Sequence, residues 1–364
     1  MATELTASEL TPVTIDGLRV KRFCLQSDAL RVELMEYGAT LLAVHLRDSD
    51  AREHCVSRGL AKPQHYENNP AYMGAVCGRN AGRITKACYP APGTPPSERE
   101  SAEIIRLSAN EGEHHLHGGV KGFTSRRFSG SLIESADRVG VEFVYLSPDG
   151  EEGYPGKLDT QIRYWVDQAA RLWIEYSAQA LGAVTPVSLT SHCYWNLSDA
   201  PLILDHELQL AARRYLELDA DLLPTGATLE TRSTAVDFSE VRSFRDAFAA
   251  LPQGSQGLDH CLLDFHQPDA EQERDIPAPV SLVARIRDPS SGRSMRVYTD
   301  QPVMVLYTGN ALDGSKDHGG HSRHSGFCIE CQQFPDAPNH AGFPSTFVEE
   351  GEFYRQCSIY EFSL

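Results

Sequence analysis

Only one stretch of this chain, residues 239–251, spaces its apolar side chains like a helix, with Val241, Phe244, Phe248 and Leu251 on one stripe. Almost everywhere else the apolar residues alternate. The runs 18–25, 30–35 and 39–46 read as short strands, with turns at Ser27-Asp28 and Tyr37-Gly38. The runs 141–146, 158–166, 172–178, 202–210, 282–286, 294–298, 303–307 and 356–362 continue the pattern. Helices do not alternate with these strands, which argues against a parallel doubly wound sheet. Many strands joined by Gly- and Pro-rich turns set the expected fold class as all-β: a large antiparallel β-sandwich with few short helices. The 364 residues exceed the usual domain size, but large all-β folds reach this length as one unit. No internal repeat or confident linker divides the chain, so one domain over 1–364 is expected. Long loops are expected at 90–101, 267–279 and 312–325.

Charge narrows the function. The formal net charge is -17, which repels phosphate backbones and anionic lipid, so neither nucleic acid nor a membrane is an expected partner. A neutral small molecule fits better. Residues 1–12 have no apolar signal core, and no stretch approaches the roughly 18 apolar residues that span a bilayer. The 9 cysteines are odd in number and scattered, as small core residues in a reducing compartment would be. A cytoplasmic protein is the expectation, and the sequon Asn196-Leu197-Ser198 then carries no meaning.

Five polar islands carry the chemistry. Around Glu330, strand alternation puts Cys328, Glu330 and Gln332 on one face and Phe327, Ile329 and Cys331 on the other. Most strand glutamates point to water. Here a polar row beside an apolar face, ending in the Pro335–Pro338 loop, is how a carboxylate is fixed at a pocket edge and its basicity tuned. A second island, Thr185 to Leu197, sets His192 among Tyr194, Trp195 and small residues. That is either a hydrogen-bonded core histidine or a general acid in a pocket with apolar walls.

Gly78 to Ile84 lacks the spacing of a dinucleotide loop, and is either a surface turn or a tight turn presenting Arg79 and Arg83. The three histidines of His114-His115-Leu116-His117-Gly118-Gly119 invite a zinc reading, but no recognised ligand spacing completes it. A histidine held beside a close backbone approach fits the two glycines better. Gly257 to Cys261 places Asp259 either in an Asx-type turn or at a site. Cys328 and Cys331 have a C-x-x-C spacing on a strand, not at a helix start, so redox chemistry is not expected. His318, His321 and His324 lie in a Gly-rich loop and are expected to be solvated.

Together these islands resemble the aldose 1-epimerases, or galactose mutarotases. The similar stretches are 78–84, 116–119, 122–123, 147–156, 185–197, 223–226, 257–261, 307–310 and 324–362, in matching order over about 13–362. The resemblance implies a galactose mutarotase-like β-sandwich with its active site in a cleft on the concave face. It implies interconversion of the α and β anomers of a free aldose such as galactose or glucose, with no cofactor and no metal, by a monomer or homodimer. Glu330 matches the family's general base and His192 its general acid. Arg83, His117 and Asp259 match residues that hold the sugar oxygens. Two positions depart from the pattern: Gly82 stands where the family usually has Asn, and Val305 where it often has Gln.

The chemistry suits such a pair. Opening a cyclic hemiacetal removes the O1 proton and adds one to the ring oxygen O5; rotation about C1–C2 and closure give the other anomer. One base and one acid suffice, each supplying roughly 10²–10⁴-fold. Glu330 ionised and His192 protonated is the expected opening state, with both values raised modestly by the cleft. A glycoside hydrolase using Asp259 and Glu330, or a non-catalytic sugar-binding module, is the alternative. An epimerase for sugar phosphates fits the net charge poorly.

Overall fold

Antiparallel ladders dominate the computed structural model, which describes residues 5–265 and 279–364. The largest sheet has 9 strands. It runs in space from Ser129–Glu134 through Arg138–Ser147, Lys157–Asp167, Arg171–Leu181, Phe353–Ser363, Ser294–Thr299, Ser281–Arg287 and Glu207–Leu210 to Arg242–Ser243. A 7-stranded sheet orders Pro224–Glu230, Ala212–Leu218, Asp259–Phe265, Val303–Tyr307, Phe327–Gln332, Tyr194–Trp195 and Ser57–Arg58. A 5-stranded meander covers Thr6–Ile15 to Glu53–Cys55.

The two larger sheets pack face to face, as a sandwich should. Ile329 and Cys331 from one share a core with Leu172, Ile174 and Tyr360 from the other. The Trp195 ring lies tilted against Tyr360 and Phe362, with centroids 5.1 and 5.5 Å away. Polar ties cross the same interface: Tyr360 Oη donates to the Ile329 carbonyl at 3.2 Å, and Gln356 Nε2 to the Cys331 carbonyl at 2.8 Å. Trp195 is fully buried. Truncating a buried tryptophan costs roughly 3–5 kcal/mol, so Trp195→Ala would loosen this interface.

The expected strands are present, and several are longer than their apolar runs. The run 172–178 lies within Arg171–Leu181, and 202–210 contracts to Glu207–Leu210. The helical segment starts later than expected. Arg242–Ser243 is a strand, and the helix spans Phe244–Ala249 with Ser243 Oγ accepting from the Asp246 N–H at 3.1 Å. That cap fixes the start. Val241 falls outside it, 60% exposed, while Phe244 is buried and Phe248 and Leu251 pack on the core. The loop expected at 267–279 lies, except for Pro279, outside the described residues. The one at 90–101 contains the short 3-10 turn Pro96–Ser101. In 312–325 the histidines are half-buried and hydrogen-bonded rather than freely solvated as expected. His318 meets Asp313 Oδ1 at 2.7 Å, His321 the Gly59 carbonyl at 2.9 Å and His324 the Thr308 carbonyl at 2.9 Å. Loop polarity does not reveal such partners, and Gly59 lies 262 residues from His321 in the chain.

Candidate active site

Strand alternation puts Phe327, Ile329 and Cys331 in the sandwich core and turns Cys328, Glu330 and Gln332 to the opposite face. Glu330 is only 3% exposed there. Across the ladder Val305 lies directly opposite Glu330, and Cys261 opposite Val305. Tyr307 lies opposite Cys328, and Asp259 opposite Tyr307. Directly paired residues point to the same side of a sheet, so all of them face the cleft.

Above this floor, short strands and turns bring the other islands in. Thr190–Ser191 pairs with Val76–Cys77, and the His192 N–H donates to the Ala75 carbonyl at 2.9 Å. His192 Nε2 then lies 3.6 Å from Glu330 Oε1, and its Nδ1 3.5 Å from Cys328 Sγ. Rings surround it: Tyr194 at 5.1 Å, His117 at 5.3 Å, Tyr72 at 5.9 Å and Tyr307 at 6.2 Å between centroids.

His117 sits at a positive φ of 50° before two glycines. A Cβ at Gly118 would collide with the Gly78 carbonyl oxygen, so the close backbone approach expected there is present. His114 and His115 do not join it. His115 bridges the Ser108 carbonyl and the Tyr154 hydroxyl at 2.7 Å each, a structural role in the interior. Arg83, on Arg83–Ile84, is gripped bidentately by Glu111 at 2.6 and 2.9 Å. At Gly82 the φ is +79°, and a Cβ would come within 2.9 Å of Pro335. The Pro335 ring thus occupies the space a side chain there would need.

Electrostatics couple these groups. Burial pushes the Glu330 carboxyl up to about 8, with Arg83 pulling the other way. Burial pushes the His192 imidazole down to about 4. This corrects the expectation that the cleft raises both: desolvation penalises the charged form, which is the carboxylate in one case and the imidazolium in the other. Asp259 rises to about 6, chiefly from burial, with Arg83 lowering it and Glu330 raising it. No described residue hydrogen-bonds its carboxylate. Burial also pushes His117 well below its ordinary value.

His117, His192 and Glu330 offer ligand atoms within 4.8 Å of one another, close enough for a metal ion. The proton on His117 argues against that use. Its Nδ1 accepts the Gly82 N–H at 3.2 Å, so Nε2 carries the hydrogen and donates, whereas a ligand nitrogen must be bare.

Sequence reasoning missed Glu111 and Tyr72 as parts of this constellation, and it put Cys328 on the Glu330 face without its contact to His192. Glu111 lies in the polar run Asn110 to Glu113, where nothing distinguishes it from a surface acid. Tyr72 stands in a turn with no periodic signal.

A buried acid–base pair beside a cation and a second carboxylate, on an antiparallel β-sandwich, is the class these features define. Comparisons with known proteins agree. The aldose 1-epimerase family model matches residues 21–361. A galactose mutarotase from Bos taurus is 36% identical over 353 residues, covering 95% of this chain and 94% of its own. An aldose 1-epimerase from Escherichia coli (strain K12) is 30% identical over 363 residues, covering 98% and 99%. Among solved structures, galactose 1-epimerase from Lactobacillus acidophilus NCFM superposes with a TM-score of 0.83 at 24% identity, covering 99% of each chain. The chain belongs to the aldose 1-epimerase family, and it is an enzyme of that kind, a mutarotase with the galactose mutarotase-like fold.

Proposed function

We propose that this enzyme interconverts the α and β anomers of free aldoses such as galactose or glucose, with Glu330 and His192 moving the two protons. The observation that carries the reading is the 3.6 Å approach of His192 Nε2 to Glu330 Oε1 in a buried cleft. Ring opening needs one proton to give and one vacancy to fill. With values of about 4 and about 8, the pair holds one proton across the neutral range. In the empty cleft that proton rests on Glu330. Passing it to His192 changes no net charge and draws nothing from solvent. Glu330 then takes the O1 proton while His192 protonates O5, and closure reverses both steps.

Arg83, His117 and Asp259 bind the remaining oxygens. Arg83 is a permanent cation with its fork held by Glu111. His117 Nε2 is a fixed donor, and the Asp259 carboxylate has acceptor capacity to spare. No step in this scheme uses a metal or cofactor. The whole chain, 1–364, acts as one domain in this reading, supported by a core cluster that joins residues from Phe23 to Phe362. A monomer or a homodimer belongs to this reading. The 9 unpaired cysteines support a reducing, cytoplasmic setting.

Polarimetry of freshly dissolved α-galactose and α-glucose tests the reading. Purified protein should speed the decay of rotation, with and without EDTA, and release no nitrophenol from nitrophenyl glycosides. Binding of sugar without faster decay would leave only a binding module. Activity lost in chelator and restored by zinc would overturn the metal-free mechanism.

A further inference from the structure

The cleft floor has two unlike halves. On one side of Glu330 lie Tyr307 and Asp259, with Arg83 and His117 nearby. In register with Glu330 itself lie Val305 and then Cys261, which offer a sugar hydroxyl nothing strong to bond. Val305 packs with Cys261, Leu216, Phe334 and Phe343 in one apolar cluster. Phe334 and Phe343 are half-buried, with ring centroids 5.0 Å apart. Val305 is half-buried too, so the cluster presents a wall to the cleft as well as filling space. The next cleft-facing polar residue, Gln332, is fully buried and turns its amide to the Gln333 carbonyl at 3.3 Å.

An aldose must place its groups over this floor. O1 and O5 go to the acid–base pair. The hydroxyls on C2 to C4 go to the cationic, donor and acceptor groups of Arg83, His117 and Asp259. The substituent on C5, the carbon bonded to O5, is what remains for the apolar wall. We propose that the cleft is selective for 6-deoxyhexoses, whose C5 methyl packs on Val305 and its aromatic neighbours, over hexoses that carry a hydroxyl there. This rests on the acid–base reading above. A hydroxyl against that wall loses water and gains no partner, whereas a methyl is buried at no polar cost. The selectivity belongs to this chain's own valine, and it appears as a difference in KM because the C5 substituent is remote from the bonds that change.

Three sugars of one configuration test it: galactose, 6-deoxygalactose and arabinose, the last lacking the C5 carbon substituent altogether. Initial mutarotation rates over a range of concentrations give KM and kcat for each. The expected result is a kcat/KM for 6-deoxygalactose roughly tenfold above galactose, carried by KM, with arabinose below 6-deoxygalactose because it has no methyl to bury. Val305→Gln should then remove most of the tenfold gap by lowering KM for galactose. A wild-type enzyme that turns over galactose as well as or better than 6-deoxygalactose overturns the proposal, and this comparison needs no variant to fold. A folded Val305→Gln protein with the wild-type ratio also overturns it. If none of the three sugars is turned over faster than in buffer, the acid–base reading itself has failed, an outcome distinct from turnover without preference.

Discussion

Replacing Glu330 with glutamine should stabilise the fold, and by an amount that grows with pH. Glu330 is almost fully buried, and its value rises from an ordinary 4.5 up to about 8. Over that window the unfolded chain has lost the proton while the folded chain keeps it. The folded state binds more protons, so stability falls as pH climbs, by about 1.36 kcal/mol per unit. His192 works in the opposite sense. Its value drops from 6.5 to about 4, so stability rises with pH until 6.5. The two slopes nearly cancel between about pH 4.5 and 6.5, which leaves a net loss of roughly 2 kcal/mol between 6.5 and 8 in the wild type. Glu330→Gln removes the falling limb and keeps the shape of the side chain. Urea denaturation of both proteins at about pH 5, 6.5 and 8.5 reads the effect directly. The variant's advantage should widen by roughly 2 kcal/mol from pH 6.5 to 8.5. A stability difference that does not change with pH would refute the claim that Glu330 is held neutral by burial.

Three further outcomes follow from the same geometry. The rate of mutarotation should be bell-shaped in pH, with limbs near 4 and near 8: below the first the pair has no vacancy, above the second it has no proton, and the two values belong to the pair rather than to either residue. A profile still rising above pH 9 would contradict this. Glu111→Ala should free the Arg83 fork; because Glu111 is partly exposed, the loss is about 1 kcal/mol, seen as roughly a fivefold rise in KM with a smaller change in kcat. An unchanged KM would show that Arg83 does not orient the sugar. Mutarotation should be insensitive to EDTA, since His117 presents a protonated nitrogen to the cleft.

The placement of Glu330 was legible because a two-residue period leaves little choice. With Phe327, Ile329 and Cys331 committed to the core, Glu330 had to face the other way, and the structure puts it there. The strand 303–307 was read in full for the same reason. What alternation cannot carry is long-range assembly. Nothing local pairs Glu111 with Arg83 or brings Cys328 to His192, since both contacts depend on how turns from distant strands meet. The helix start at Ser243 was missed because apolar spacing ran through Val241, while the cap decided the matter. The sign of the His192 shift was missed because the sequence shows aromatic neighbours but not how completely they exclude water. At 5% exposure, burial outweighs the backbone hydrogen bond and the Asp259 carboxylate that pull the other way.

The most direct test of the central claim compares the wild type with Glu330→Gln and His192→Asn by following anomer exchange of a bound-range aldose with NMR, alongside sugar affinity by calorimetry. Each variant should lose roughly 10²-fold or more in kcat while binding the sugar within a few-fold of the wild type. Near-normal exchange in either folded variant would contradict the assignment of the two protons to this pair.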